Sequence, residues 1–194
     1  MGISRPVRIL LSIFAAILFL CCVATLGATL LGARLVGRTI ITNPTRVAAI
    51  GQQIVRYQLP KGFKEMFASD LLGFKMVAIG PTDPRAELPV IVLLQLPDVV
   101  DMDEEELRKQ LERALVQQAG TGNADMQVVN TQRTVIRGQE VTLTVRRGTV
   151  SGGQTLRQIS GVFSGPNGPV FLFVTGVENN WDSSEIDEFI HSIQ

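Results

Sequence analysis

The sequence predicts an α+β protein: an N-terminal transmembrane helix followed by one domain with an antiparallel sheet and two packing helices. Three observations carry that reading. Residues 9–33, ILLSIFAAILFLCCVATLGATLLGA, hold no charge and are bracketed by Arg5, Arg8, Arg34 and Arg38. From about residue 53 onward, period-two alternation recurs between Gly- and Pro-rich turns. Two segments, opening at Asp103 and Asp182, combine capping-box spacing with apolar stripes of helical period. The domains expected are a 1–40 transmembrane anchor, a 41–52 short helical stalk and a 53–194 α+β domain.

As a helix the uncharged run would be roughly 37 Å long, against about 30 Å of bilayer hydrocarbon. The competing reading is a cleaved secretory signal, whose apolar part is shorter and ends in a small-x-small exit. Here the chain stays apolar through Leu30 and Leu31, after the weak site at Thr25 and Gly27, so retention is the better account. Cys21 and Cys22, the only cysteines, fall within the run, and they read as small apolar residues of a membrane helix rather than acylation sites. Ala24, Ala28 and Gly32 recur every fourth position and form the candidate helix–helix contact, where small side chains let a partner helix or a second copy approach. The expected partners are the lipid bilayer and a membrane protein or homo-oligomer. Flanking arginines are nearly balanced; the short basic N-terminus favours a cytoplasmic start and an extracytoplasmic domain.

Of the eighteen Lys and Arg, four precede residue 40, which leaves fourteen against eighteen Asp and Glu in the remainder. A mildly acidic domain with scattered aromatics argues against nucleic-acid binding. With both cysteines in the apolar run, no disulfide is expected in the domain.

Along the domain, Asn43 can cap a helix with Pro44 at its first position and Gly51 at its end. IVRYQLP, 54–60, reads as a first strand ended by Pro60 and Gly62. Phe63, Met66, Phe67, Leu71 and Phe74 have helix-like spacing, which would suit a membrane-surface helix. The alternation of FKMVAI favours strands broken near Ser69 and Asp70 instead. PVIVLLQLP, 89–97, is a continuous apolar run expected to be a central strand covered on both faces. Asp103 and Glu106 open a helix with Leu107, Leu111 and Leu115 on its apolar stripe. Two hairpins follow, one turning at Arg137-Gly138 and one at GPNGP. Asp182 and Glu185 cap a last helix whose Ile186, Phe189, Ile190 and Ile193 should dock on the sheet.

Candidate chemistry is sparse. Asp98, Asp101, Asp103, Glu104, Glu105 and Glu106 could attract a hard cation, but they lack the Gly and the spaced Glu of a calcium loop, and a helix N-terminus already favours acids. His191 is the only histidine; in the last turn of a helix it reads as structural rather than catalytic. Trp181 reads as a hydrophobic anchor of the last helix, with ligand stacking the alternative. Arg133, Arg137, Arg146, Arg147 and Arg157 could gather into an anion or partner surface, or form a solvated face. No catalytic residue, cofactor or metal is assigned.

The order of these elements, closing with Trp181, Asp182, Glu185, Ile186, Asp187, Phe189, Ile190, Ser192 and Ile193 in the pattern WDxxEIDxFIxSI, resembles the α/β/α sandwich of the photosystem extrinsic PsbP family and its bacterial relatives. The pattern YxLPxGF, at Tyr57, Leu59, Pro60, Gly62 and Phe63, is similar to membrane-anchored bacterial proteins of unknown function. The resemblance covers residues 53–193 and implies a binding or assembly role, with no catalytic residues; the N-terminal anchor departs from the soluble extrinsic proteins. The function expected is therefore a membrane-anchored binding or scaffold protein, the alternatives being an envelope enzyme working through Asp101 and Asp103 or Asp182 and Glu185, and a carrier of lipid or another small ligand.

Overall fold

A computed structural model describes residues 40–71, 73–83, 85–97, 126–150 and 153–194. In chain order these form β1 (Ile40–Ile41), α1 (Pro44–Ile54), β2 (Phe63–Leu71), β3 (Phe74–Pro81), β4 (Val90–Gln95), β5 (Gln127–Ile136), β6 (Gln139–Thr149), β7 (Thr155–Gly165), β8 (Gly168–Val177), a 3₁₀ turn (Glu178–Asn180) and α2 (Ser183–His191). The eight strands make one sheet in the order β1-β2-β3-β4-β8-β7-β6-β5. Each pair from β2–β3 through β6–β5 is antiparallel. The protein is thus α+β with an antiparallel sheet and two helices among its described residues. Among them no helix is long and apolar enough to cross a membrane; residues 9–33 lie outside them, as does the helix expected from Asp103.

The helices are built alike. In α1 the buried positions Val47, Ile50, Gly51 and Ile54 follow the i, i+3, i+4, i+7 rule, and in α2 Ile186, Phe189 and Ile190 start the same series, which Ile193 continues beyond the helix. Asn43 Oδ1 accepts from the Arg46 N–H at 3.3 Å, and Asp182 Oδ1 accepts from Ser184 and Glu185 at 2.9 and 3.2 Å. Each cap satisfies amides that the first turn leaves without partners. Both stripes enter one cluster with Val77, Ile79, Ile91, Leu93, Leu143, Ile159, Phe163 and Leu172 from the sheet. The helix expected as a stalk over 41–52 is accordingly part of the domain's packing.

The opposite sheet face carries a second cluster, Leu96, Val162, Phe171 and Phe173, with Val92 and Leu94 against it. Phe171 and Phe173 stack at 6.1 Å between ring centres. On β4, Ile91 and Leu93 face one cluster while Val92 and Leu94 face the other, so the continuous apolar run is the central strand the sequence predicts.

Two expectations are corrected. Residues 55–60 join no sheet ladder: Ile54 still belongs to α1, and the extended segment after it exchanges main-chain hydrogen bonds with Gln194, Arg56 donating at 3.2 Å and accepting at 2.8 Å. The break expected near Ser69 and Asp70 lies instead between Leu71 and Phe74, which pair with each other, and Gly73 takes φ 86° there. Strand alternation wins over the helical spacing in 63–80, which removes the membrane-surface helix.

Candidate functional site

Among the described residues β5 is an edge strand, paired only with β6. From Gln127 through Arg133 every side chain is exposed, whichever sheet face it belongs to, and Val128, Val129 and Val135 retain 55, 50 and 58% of their accessible surface. Such a strand carries main-chain donors and acceptors along a free side, an arrangement that proteins usually blunt with charge, proline or bulges. Here the blunting is slight: Arg133 is the strand's one charge, its pair with Glu140 at 3.4 Å is solvent-exposed, and one extra residue is accommodated between Val128 and Asn130.

The five arginines singled out from sequence do not share a face. Strand parity puts Arg147 on the side of the buried Leu143 and Val145, and it pairs across the ladder with Arg157. There Arg147 meets Glu178 at 2.6 Å, while Arg157 lies 4.9 Å from the Trp181 ring and donates to the Ser183 hydroxyl at 3.2 Å. Trp181 therefore packs at the entrance of α2 beneath a guanidinium. Arg146 and Arg133 fall on the other face, opposite Gln158 and Thr142. Arg137 belongs to neither face, because it sits in the β5–β6 turn.

That turn forms one wall of a cleft of about 430 Å³ at the end of the sheet. Gln52 and Gln53 at the end of α1, Arg56, Arg137, Asn167 and Gln194 line it, with Val55 and Pro166. Asn167 is fixed by its neighbours: its amide donates to the Gln53 carbonyl at 3.4 Å, and its own carbonyl accepts from the buried Gln95 amide at 2.7 Å. Arg137 has φ 53° and Gly138 φ 75°, the two left-handed residues of a type I′ turn. Arg137 is the one non-glycine residue with positive φ among the described residues, and holding a side-chain-bearing residue there costs roughly 1 kcal/mol.

Tyr57 belongs to the extended segment, its hydroxyl donating to Glu65 Oε1 at 3.3 Å. Burial first, then the Glu65 carboxylate, hold its phenol well above the ordinary tyrosine range. His191 Nδ1 donates to the Asp187 carbonyl at 2.8 Å, which leaves Nε2 3.3 Å from the Thr134 hydroxyl. The histidine thus ties α2 to the edge strand. Asp182 caps α2, and its partner Glu185 is a half-buried residue of the first turn that borders a shallow recess of about 130 Å³. Among the described residues no three His, Cys, Asp or Glu side chains could hold a metal. Ala24, Ala28, Gly32 and the acidic group from Asp98 to Glu106 lie outside them. The cleft is not legible in the sequence, because its arginines, 81 positions apart, come together only through the fold.

No family model matches the chain, and no curated protein matches it. Among solved structures, it is similar to the cyanobacterial PsbP (CyanoP) of Synechocystis sp. PCC 6803, at 12% identity over 73% of this chain and 92% of that one, with a TM-score of 0.45. It is also similar to LpqN of Mycobacterium tuberculosis, a protein involved in cell envelope biogenesis, at 9% identity over 71% of this chain and 79% of that one, with a TM-score of 0.37. These are likenesses of fold, and they carry no residue's role across. The first belongs to the PsbP-like fold group that the sequence resembles.

Proposed function

We propose that this chain is a single-pass membrane-anchored binding protein, an accessory component that holds a partner protein beside the bilayer. Residues 1–40 anchor it, with Ala24, Ala28 and Gly32 as a helix–helix contact, and the domain that follows lies on the extracytoplasmic side. The observation that carries the binding role is β5, a ten-residue edge strand with exposed Val128, Val129 and Val135 and a single charge. An extended segment of another chain can add to such an edge, main-chain hydrogen bonds supplying affinity and side chains on alternate faces supplying selectivity.

The test uses the full chain in mild detergent, read by light scattering and by cross-linking between copies. The expected wild-type species is a dimer or a defined complex, and Val129→Lys with Val135→Lys is expected to return it to a monomer with unchanged thermal stability, since both side chains are exposed. A wild-type monomer that yields no cross-link through β5 would refute the reading.

A further inference from the structure

The cleft at the end of the sheet is separate from the β5 face and is unusual in charge. Its lining includes two arginines and no Asp or Glu side chain. Among the described residues neither the Arg56 nor the Arg137 guanidinium has an ion-pair partner, whereas Arg133 and Arg147 do. The end of α1 accounts for a cation at Arg56, because carbonyls at a helix C-terminus favour positive charge. It does not account for Arg137, which arrives from a different element and occupies a left-handed backbone position that Asn, Asp or Gly fills more readily. A strained residue that adds a second positive charge to a concave surface is a pattern of functional sites. The surrounding carboxamides of Gln52 and Gln53 add neutral donors.

We propose that the cleft between Arg56 and Arg137 binds a phosphate group. Guanidinium forks match phosphate oxygens and form charge-assisted hydrogen bonds with them. Asn167, held by Gln53 and Gln95, keeps the opposite wall in place. The volume of about 430 Å³ accommodates the phosphate together with the group that carries it. The phosphate can come from a soluble ester or from a lipid headgroup. Either source makes the same contacts, and the site stands or falls independently of the β5 reading.

Calorimetry on the full chain in neutral detergent tests this with inorganic phosphate, with dihexanoyl phosphatidic acid, and with dihexanoyl phosphatidylcholine as control. Arg137→Gly is the informative variant, because it removes the guanidinium and relieves the left-handed strain together. Its affinity for phosphate should fall about tenfold, the scale of one charge-assisted contact, while its melting temperature stays level or rises. Arg56→Gln should weaken binding similarly, and Arg133→Gln, outside the cleft, should not. Phosphatidic acid binding at least tenfold tighter than inorganic phosphate identifies a lipid source, and comparable affinities identify a soluble one. The proposal is overturned if neither phosphate probe binds, if Arg137→Gly binds as tightly as Arg133→Gln, or if Arg137→Gly lowers the melting temperature, which would make Arg137 a structural residue.

Discussion

The hydroxyl of Tyr57 occupies the space that a side chain at Gly51 would need: a Cβ built on Gly51 lands on the phenolic oxygen and comes within 3.1 Å of the ring. Helix α1 thus carries a glycine one turn before its end because the chain leaves the helix, doubles back and lays its only tyrosine against that turn. The Tyr57 ring in turn packs against Phe189 of α2, with ring centres 5.7 Å apart. One missing methyl group therefore lets the two helices and the segment between them share a core.

Gly51→Ala should destabilise the domain. In an exposed helix the change would gain about 1 kcal/mol. Here the collision with a buried ring that is also hydrogen-bonded to Glu65 outweighs it, and overpacking of this kind costs about 1–3 kcal/mol. Urea unfolding measures the balance, and a variant more stable than wild type would mean that the ring moves aside freely. The companion Gly51→Ala/Tyr57→Ala should recover the helix-propensity gain relative to Tyr57→Ala alone.

Tyr57 also makes stability depend on pH in the alkaline range. Its folded pKa is raised above the ordinary value of 10.0 by burial and by Glu65. A raised folded pKa means that the neutral phenol is favoured in the fold, so its contribution is complete below pH 10 and is lost as the pH climbs from there toward the folded value. Tyr57→Phe should show a shallower decline in melting temperature between about pH 9.5 and 11.5. Because the chain has one tyrosine, phenolate absorbance reports this residue alone: in the native protein it should not appear at the usual midpoint and should rise only with unfolding. A normal midpoint in folded protein would sink the argument.

Gly51 and Tyr57 also mark how far the sequence can be read. The strands from 63 onward, the two long hairpins and α2 are legible because alternation, turn residues and capping boxes are local signals. Gly51 reads as a helix stop because glycine commonly ends helices, whereas its actual reason is a contact with a residue six positions on. IVRYQLP alternates like a strand, yet Gln194 gives it main-chain partners outside any ladder. The cleft is hidden for the same reason: Arg56, Arg137 and Asn167 reach one place through sheet order, and no spacing in the sequence announces it.

Asp182→Ala tests a feature that is legible. Its carboxylate accepts from two amides of the first turn of α2, so its removal should cost about 1 kcal/mol, whereas Asp182→Asn keeps an acceptor and should cost much less. The loss should appear as faster hydrogen exchange in the first turn of α2. Equal stability of the two variants would mean that Trp181 and its contact with Arg157 position the helix without the cap.

Phe171→Ala should be more damaging than Gly51→Ala or Asp182→Ala. Phe171 is fully buried on β8, pairs with Leu94 and Val162 on the flanking strands, and stacks on Phe173. Losing its ring from the centre of the sheet should cost about 3–5 kcal/mol, the range for a large aromatic truncated in a packed core. Val135→Ala on the exposed edge should change stability by less than about 0.5 kcal/mol, as surface substitutions do. Denaturant midpoints of the two variants measure the contrast directly. It separates a sheet whose centre is sealed on the face away from α1 and α2 from one whose far edge is open, and equal midpoints would remove the basis for treating β5 as a surface free to receive another strand.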